Sequence, residues 1–126
     1  RISNILNNFK LKNKILFLNP FSFSDYIKLQ QNCKVIFSDS GTLTEESSIL
    51  QTNAIMLRES HERPEGMEEA SVIMCGLNIK KIKTALKIMN IIDKKEIVRD
   101  YNVKNFSDKI VSNILSYLDY KINKSV

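Results

Sequence analysis

The chain is punctuated by short, unbroken apolar runs, and these restrict the fold more than any other feature. They are Ile15-Leu16-Phe17-Leu18, Val35-Ile36-Phe37, Ala54-Ile55-Met56-Leu57 and Ser71-Val72-Ile73-Met74. None alternates polar with apolar residues, so each reads as a strand buried on both faces. Strands of that kind belong to parallel sheets, and parallel neighbours need long crossovers, usually helices. The stretches between the runs supply them. The expected fold class is therefore α/β, a Rossmann-like parallel sheet with helices packed on it.

Helical periodicity fills residues 2–9, and Ser24 is placed to cap a helix carrying Tyr26, Ile27 and Leu29 up to about residue 32. A further helix is expected over about 43–50. Pro64 is positioned to open a short one. Asn78 can cap a helix in which Ile79, Ile82, Leu86, Ile88 and Met89 recur up to about residue 92. A closing helix over about 105–122 carries Phe106, Ile110, Val111, Ile114, Leu115 and Leu118 at helical spacing. There is no internal repeat and no low-complexity segment.

Composition bounds the function classes. At 126 residues and 43% hydrophobic, the chain suits one domain with a core, and two prolines with three glycines argue against disorder. No apolar run approaches the roughly 18 residues of a membrane span. The opening Arg1-Ile2-Ser3-Asn4 has no initiator Met and no apolar signal region, and it reads as a chain entered midway. Cys33, Cys75 and the single histidine, His61, offer no metal-like spacing. Both cysteines lie in apolar surroundings and read as reduced, packed thiols, which suits a cytoplasmic protein. The net charge of +5 is unevenly spread: residues 35–79 hold two arginines against eight carboxylates. The lysines elsewhere are scattered over helices without interleaved aromatics, a solvated surface and no nucleic-acid footprint.

Two segments can carry chemistry. The run Val35-Ile36-Phe37 delivers Ser38-Asp39-Ser40-Gly41-Thr42 to the carboxyl edge of the sheet, where open α/β sheets bind ligands. A helix starts there at once, and its N-terminus favours an anion such as phosphate. Gly41 lets the backbone approach closely, while Ser40 and Thr42 add hydroxyl donors. A carboxylate in the next turn, Glu45 or Glu46, can accept both hydroxyls of a ribose. Spacing alone favours the simpler reading of this turn, an N-cap followed by acids that suit the helix dipole. The second segment is Arg58-Glu59-Ser60-His61-Glu62-Arg63-Pro64-Glu65-Gly66-Met67-Glu68-Glu69. Arg63 is a candidate phosphate contact, because a guanidinium pairs oxygens two at a time. His61 can serve as an acid or base, though a lone loop histidine is more often a surface residue. Neither a glycine-rich dinucleotide fingerprint nor a P-loop is present.

Together, Ser38-Asp39-Ser40-Gly41-Thr42-Leu43-Thr44-Glu45-Glu46, Leu57-Arg58-Glu59 and Glu62-Arg63-Pro64-Glu65-Gly66 resemble the C-terminal signature of non-hydrolysing UDP-N-acetylglucosamine 2-epimerases, in register from about residue 15 to 92. The wording from His61 to Ala70, and the stretch from Asp100-Tyr101 to Asp119-Tyr120, look closest to the branch making UDP-N-acetyl-L-fucosamine for capsule or O-antigen. The resemblance implies the C-terminal half of a GT-B-type two-domain fold. Residues 1–126 would be a single UDP-binding domain, with the N-terminal domain that bears the acid/base groups absent. It further implies that Ser40, Gly41 and Thr42 meet the UDP phosphates and Glu46 the ribose. Arg63 would line the nucleotide-sugar site and Tyr26 stack on uracil, core packing being the other reading of Tyr26. Thr42 stands where the family usually has a second glycine, and His61 where threonine is common.

In the family, UDP leaves the sugar and returns with inversion at carbon 2. The implied partners are UDP, a UDP-N-acetylhexosamine and, for the full-length enzyme, a second copy in a homodimer. No metal, NAD or other cofactor is implied, and the fragment alone is expected to be inactive. Two other readings remain at this point: the donor half of a GT-B glycosyltransferase, and a non-enzymatic α/β partner domain. The apolar stripe of the closing helix predicts an exposed patch on the isolated chain.

Overall fold

A computed structural model describes residues 14–60, 62–92 and 96–122, the side chains of 119–122 excepted. The elements run α1 (Phe23–Asn32), β1 (Ile36–Ser38), α2 (Leu43–Leu50), β2 (Ala54–Met56), α3 (Glu65–Glu68), β3 (Ile73–Met74), α4 (Ile79–Met89), a 3₁₀ turn (Arg99–Tyr101) and α5 (Phe106–Ile122). The strands form one sheet in the order β1-β2-β3, every pair parallel. Ile36 stands opposite Ala54, Phe37 opposite Ile55 and Ser38 opposite Met56; Ile55 then pairs with Ile73 and Met56 with Met74. The α/β class and the parallel sheet are as the apolar runs imply.

Strand alternation sorts the core into two layers. Ala54 and Met56 point to one face, where Leu43 of α2 and Val72 join them, with Ile36, Met67 and Met74 packed alongside. Ile55 points to the other, against Cys75 and against Ala85 and Met89 of α4, with Val35, Leu57, Ile73, Ile82 and Leu86 around them. One central strand thus has helices on both faces, the reason β2 reads as continuously apolar.

Four local expectations change. The run Ile15-Leu16-Phe17-Leu18 is not a strand: it is irregular and exposed, Leu16 at 77%. Among the described residues it has neither ladder partner nor covering helix, and apolar composition alone does not hold a strand together. The α1 cap is Ser22 rather than Ser24, because Asp25 stands three residues on: its N–H reaches Ser22 Oγ at 3.3 Å, and that hydroxyl donates to Asp25 Oδ2 at 2.6 Å. The strand expected from Ser71 starts at Ile73, since the Ser71 and Val72 amides both donate to Gly66 O at the exit of α3. Cys33 is exposed, and only Cys75 is a packed thiol. The helix expected over residues 2–9 lies outside the described residues, as does His61.

Other expectations stand. The helix from 43 to 50 has those bounds, and Asn78 caps α4 by accepting from the Lys80 and Lys81 amides at 3.0 and 3.1 Å. Along α5, Phe106, Ile110, Val111, Ile114, Leu115, Tyr117 and Leu118 are all exposed, which is the expected apolar patch.

Candidate functional site

β1 ends at Ser38, and after four intervening residues the chain is in α2, so the turn 39–42 lies at the carboxyl edge of the sheet. Inside that turn the Ser40 amide donates to Ser38 Oγ at 3.0 Å, and the Ser40 and Thr42 hydroxyls lie 2.9 Å apart. Thr42 occupies the N-cap position, yet its side chain makes no capping hydrogen bond. The simple N-cap reading of this turn therefore fails. The start of α2 offers backbone amides that Thr42 does not cap, and the turn before it two hydroxyls and, at Gly41, a backbone without a side chain.

Guanidinium groups fill the space Gly41 leaves open. A Cβ on Gly41 would lie 3.1 Å from Arg63 Nη1 and 3.7 Å from Arg58 Nη1. Arg63 is half-buried and ion-paired through Nε with Glu45 Oε1 in the first turn of α2. The same side chain thus touches the acidic first turn and the turn that precedes it.

Glu46 is half-buried, and its Oε2 accepts from Gln30 Nε2 of α1 at 2.7 Å. Tyr26 lies four residues before Gln30, so both are on the same face of α1, and that face is turned toward Glu46. Tyr26 is 38% exposed, so it is not a core residue. Ser40 and Thr42 are exposed and Gly41 half-buried. Direct contacts join Arg63 to α2 and Glu46 to α1, while no hydrogen bond ties Tyr26 to the Gly41 turn among the described residues.

Packing behind the turn sets where Arg63 stands. Gly66 is buried, and a Cβ there would come within 1.9 Å of Thr44 Cγ2, so α3 rests directly on α2. The Ser71 hydroxyl, just past α3, reaches the Thr44 carbonyl of α2 at 3.4 Å, and the Ser47 hydroxyl reaches it from within α2 at 3.2 Å. The 3₁₀ turn closes it from behind: the Val98 amide donates to Ser48 Oγ at 2.8 Å, and Tyr101 Oη donates to Glu65 Oε1 at 2.7 Å. Burial, then the Glu65 carboxylate, push the Tyr101 phenol well above the usual tyrosine range. Glu65 is two residues from Arg63, so Tyr101 anchors the segment that presents the guanidinium.

Gln30 escapes sequence reasoning, because no local pattern marks its contact with Glu46. Arg58 and Tyr101 lie in stretches that the motifs single out, but their approach to Gly41 and to Glu65 arises only in the fold. No group of three or more metal-ligating side chains occurs among the described residues.

A sequence model of the family described as UDP-N-acetylglucosamine 2-epimerase matches residues 1–115. A UDP-N-acetylglucosamine 2-epimerase of Methanocaldococcus jannaschii is 32% identical over 117 residues, covering 93% of this chain and 31% of that protein. The solved structure of UDP-N-acetylglucosamine 2-epimerase from Rickettsia bellii superposes with a TM-score of 0.80 at 46% identity, over 93% of this chain and 33% of that one. The M. jannaschii UDP-GlcNAc 2-epimerase, solved in complex with UDP-GlcNAc and UDP, superposes with a TM-score of 0.72 at 30% identity, over 90% of this chain and 31% of that one. This chain spans about a third of the length of these relatives. The α/β fold is that of the C-terminal region of these GT-B enzymes.

Proposed function

The chain belongs to the UDP-N-acetylglucosamine 2-epimerase family, and on that premise we propose that it is the UDP-holding part of an isomerase acting on a UDP-N-acetylhexosamine. One observation carries the proposal: an uncapped helix N-terminus, the Ser40 and Thr42 hydroxyls and Arg63 converge on Gly41. That arrangement suits a phosphate, since backbone amides, hydroxyls and a guanidinium all donate to its oxygens. Glu46, one turn further along α2, is the ribose acceptor. Its carboxylate keeps one oxygen free of Gln30 and can take two hydroxyls, each such bond contributing about 1.5–3 kcal/mol. Tyr26, exposed on the face of α1 turned to Glu46, is the platform for uracil.

The reaction is inversion at carbon 2 of the sugar, with UDP leaving and returning. In that sequence these residues hold the departing UDP within reach of the sugar while the proton moves. The family resemblance puts the acid/base groups that move it in the remaining part of the enzyme, and this chain alone is inactive. The sugar is of the L-fucosamine type, made for capsule or O-antigen in the cytoplasm by a homodimer. The motif wording from His61 to Ala70 supports that branch, and no helix of the described residues is long and apolar enough to cross a membrane. The exposed apolar face of α5 is where the remaining part packs.

A titration of this chain with UDP, followed by amide NMR, tests the site. Shifts are expected at 40–46, at Arg63 and at Tyr26, and they should vanish in Glu46→Ala. A native spectrum that ignores several millimolar UDP would sink the reading.

A further inference from the structure

Arg58 follows β2 by two residues, and its guanidinium turns toward the α2 turn, reaching the space beside Gly41 that Arg63 also faces. What holds the two arginines differs. Arg63 is ion-paired with Glu45, whereas Arg58, also half-buried, has no ion pair or hydrogen bond among the described residues. Its donors are therefore open to a ligand, and two guanidiniums aimed at one space repel each other. An anion between them relieves that repulsion and takes those donors. Arg58 also lines an open polar cavity of about 230 Å³ with Glu59, Asn78 and Lys81.

The geometry points to Arg58 as a second phosphate-binding residue, which makes the site selective for a nucleoside diphosphate over a monophosphate. The inference rests on the UDP reading above. The α2 turn, its two hydroxyls and Arg63 suffice for one phosphate. Arg58, arriving from the neighbouring strand end, takes oxygens of the other. A nucleoside monophosphate engages only the first set, so losing Arg58 weakens the diphosphate and spares the monophosphate.

The experiment is a set of NMR titrations of the chain with UDP, UMP and uridine, for the native protein, Arg58→Gln and Arg58→Lys. The native chain is expected to prefer UDP to UMP. Arg58→Gln should weaken UDP roughly 10- to 100-fold while leaving UMP and uridine unchanged. Arg58→Lys should fall between, keeping the charge without the planar fork. Unchanged UDP affinity in a folded Arg58→Gln protein, or equal weakening of UDP and UMP, overturns the inference. If the glutamine variant loses its native spectrum, the lysine variant decides: a UDP-specific weakening supports the role, and an unchanged UDP-to-UMP ratio removes it. A native chain that prefers UDP to UMP while Arg58→Gln keeps that preference leaves the UDP reading standing and sinks only this one. A native chain blind to every uridine compound brings down both.

Discussion

Gln30 of α1 donates its side-chain amide to the carboxylate of Glu46 on α2 at 2.7 Å, across sixteen residues of sequence. The bond fixes the orientation of the proposed ribose acceptor and holds the helix bearing Tyr26 beside it. Gln30→Ala is therefore expected to weaken UDP binding about tenfold with the fold intact. Calorimetric or NMR affinities for UDP would check this. An unchanged affinity would mean that Glu46 is aimed by something else.

Gly66 lets α3 lie on α2. In Gly66→Ala the new methyl meets Thr44 Cγ2, and the two helices have to part. A loss of about 1–3 kcal/mol of folding stability is expected, measured by urea denaturation, together with weaker UDP binding as Arg63 shifts. Thr44→Ser removes the opposing methyl and should restore much of both. Failure of that second change to help would place the strain somewhere other than this junction.

Tyr101 donates to Glu65, so the bond exists only while the phenol is protonated. Its pKa is raised above the ordinary value of 10.0. A raised acid contributes stability that is fully present below its unfolded pKa and is lost as pH climbs toward the folded one. Tyr101→Phe should therefore cost about 1 kcal/mol near neutral pH. The gap between variant and native protein should stay constant up to about pH 10 and shrink above it. Denaturation curves across that range would show it, and a gap already closing at pH 8 would refute the assignment.

The two thiols should react in a set order. Cys33 is exposed on the chain just after α1, whereas Cys75 is buried under α4, where burial pushes its thiol above the usual range. Iodoacetamide on the native chain should modify Cys33 first, and Cys75 only once denaturant opens the fold. Peptide mapping that finds Cys75 labelled as fast as Cys33 would contradict the packing of α4 on β2.

Much of this was visible in sequence because it is local. The α2 bounds, the Asn78 cap and the buried β2 follow from period, cap chemistry and apolar runs, each read within a few residues. The parallel sheet follows from those runs. What escaped is non-local. Gln30 finds Glu46 sixteen residues away, Tyr101 finds Glu65 thirty-six away, and Arg58 meets Gly41 only through the fold. Ile15-Leu16-Phe17-Leu18 failed for a related reason: pairing makes a strand, and composition carries no record of whether a partner is present. The motif placed Ser40, Gly41, Thr42, Glu46 and Arg63 near one sheet edge, but could not say that Arg63 is held by Glu45.

That last contact makes the site resemble an ion exchanger. A phosphate that reaches Arg63 displaces a carboxylate already seated there, so one anion replaces another on the same cation. Little small-ion release accompanies such a swap, and added salt, which weakens exposed pairs, weakens the resident pair as well as the incoming one. The affinity for UDP should then fall only gently with ionic strength, and Glu45→Gln, which removes the charge of that resident carboxylate, should steepen that fall.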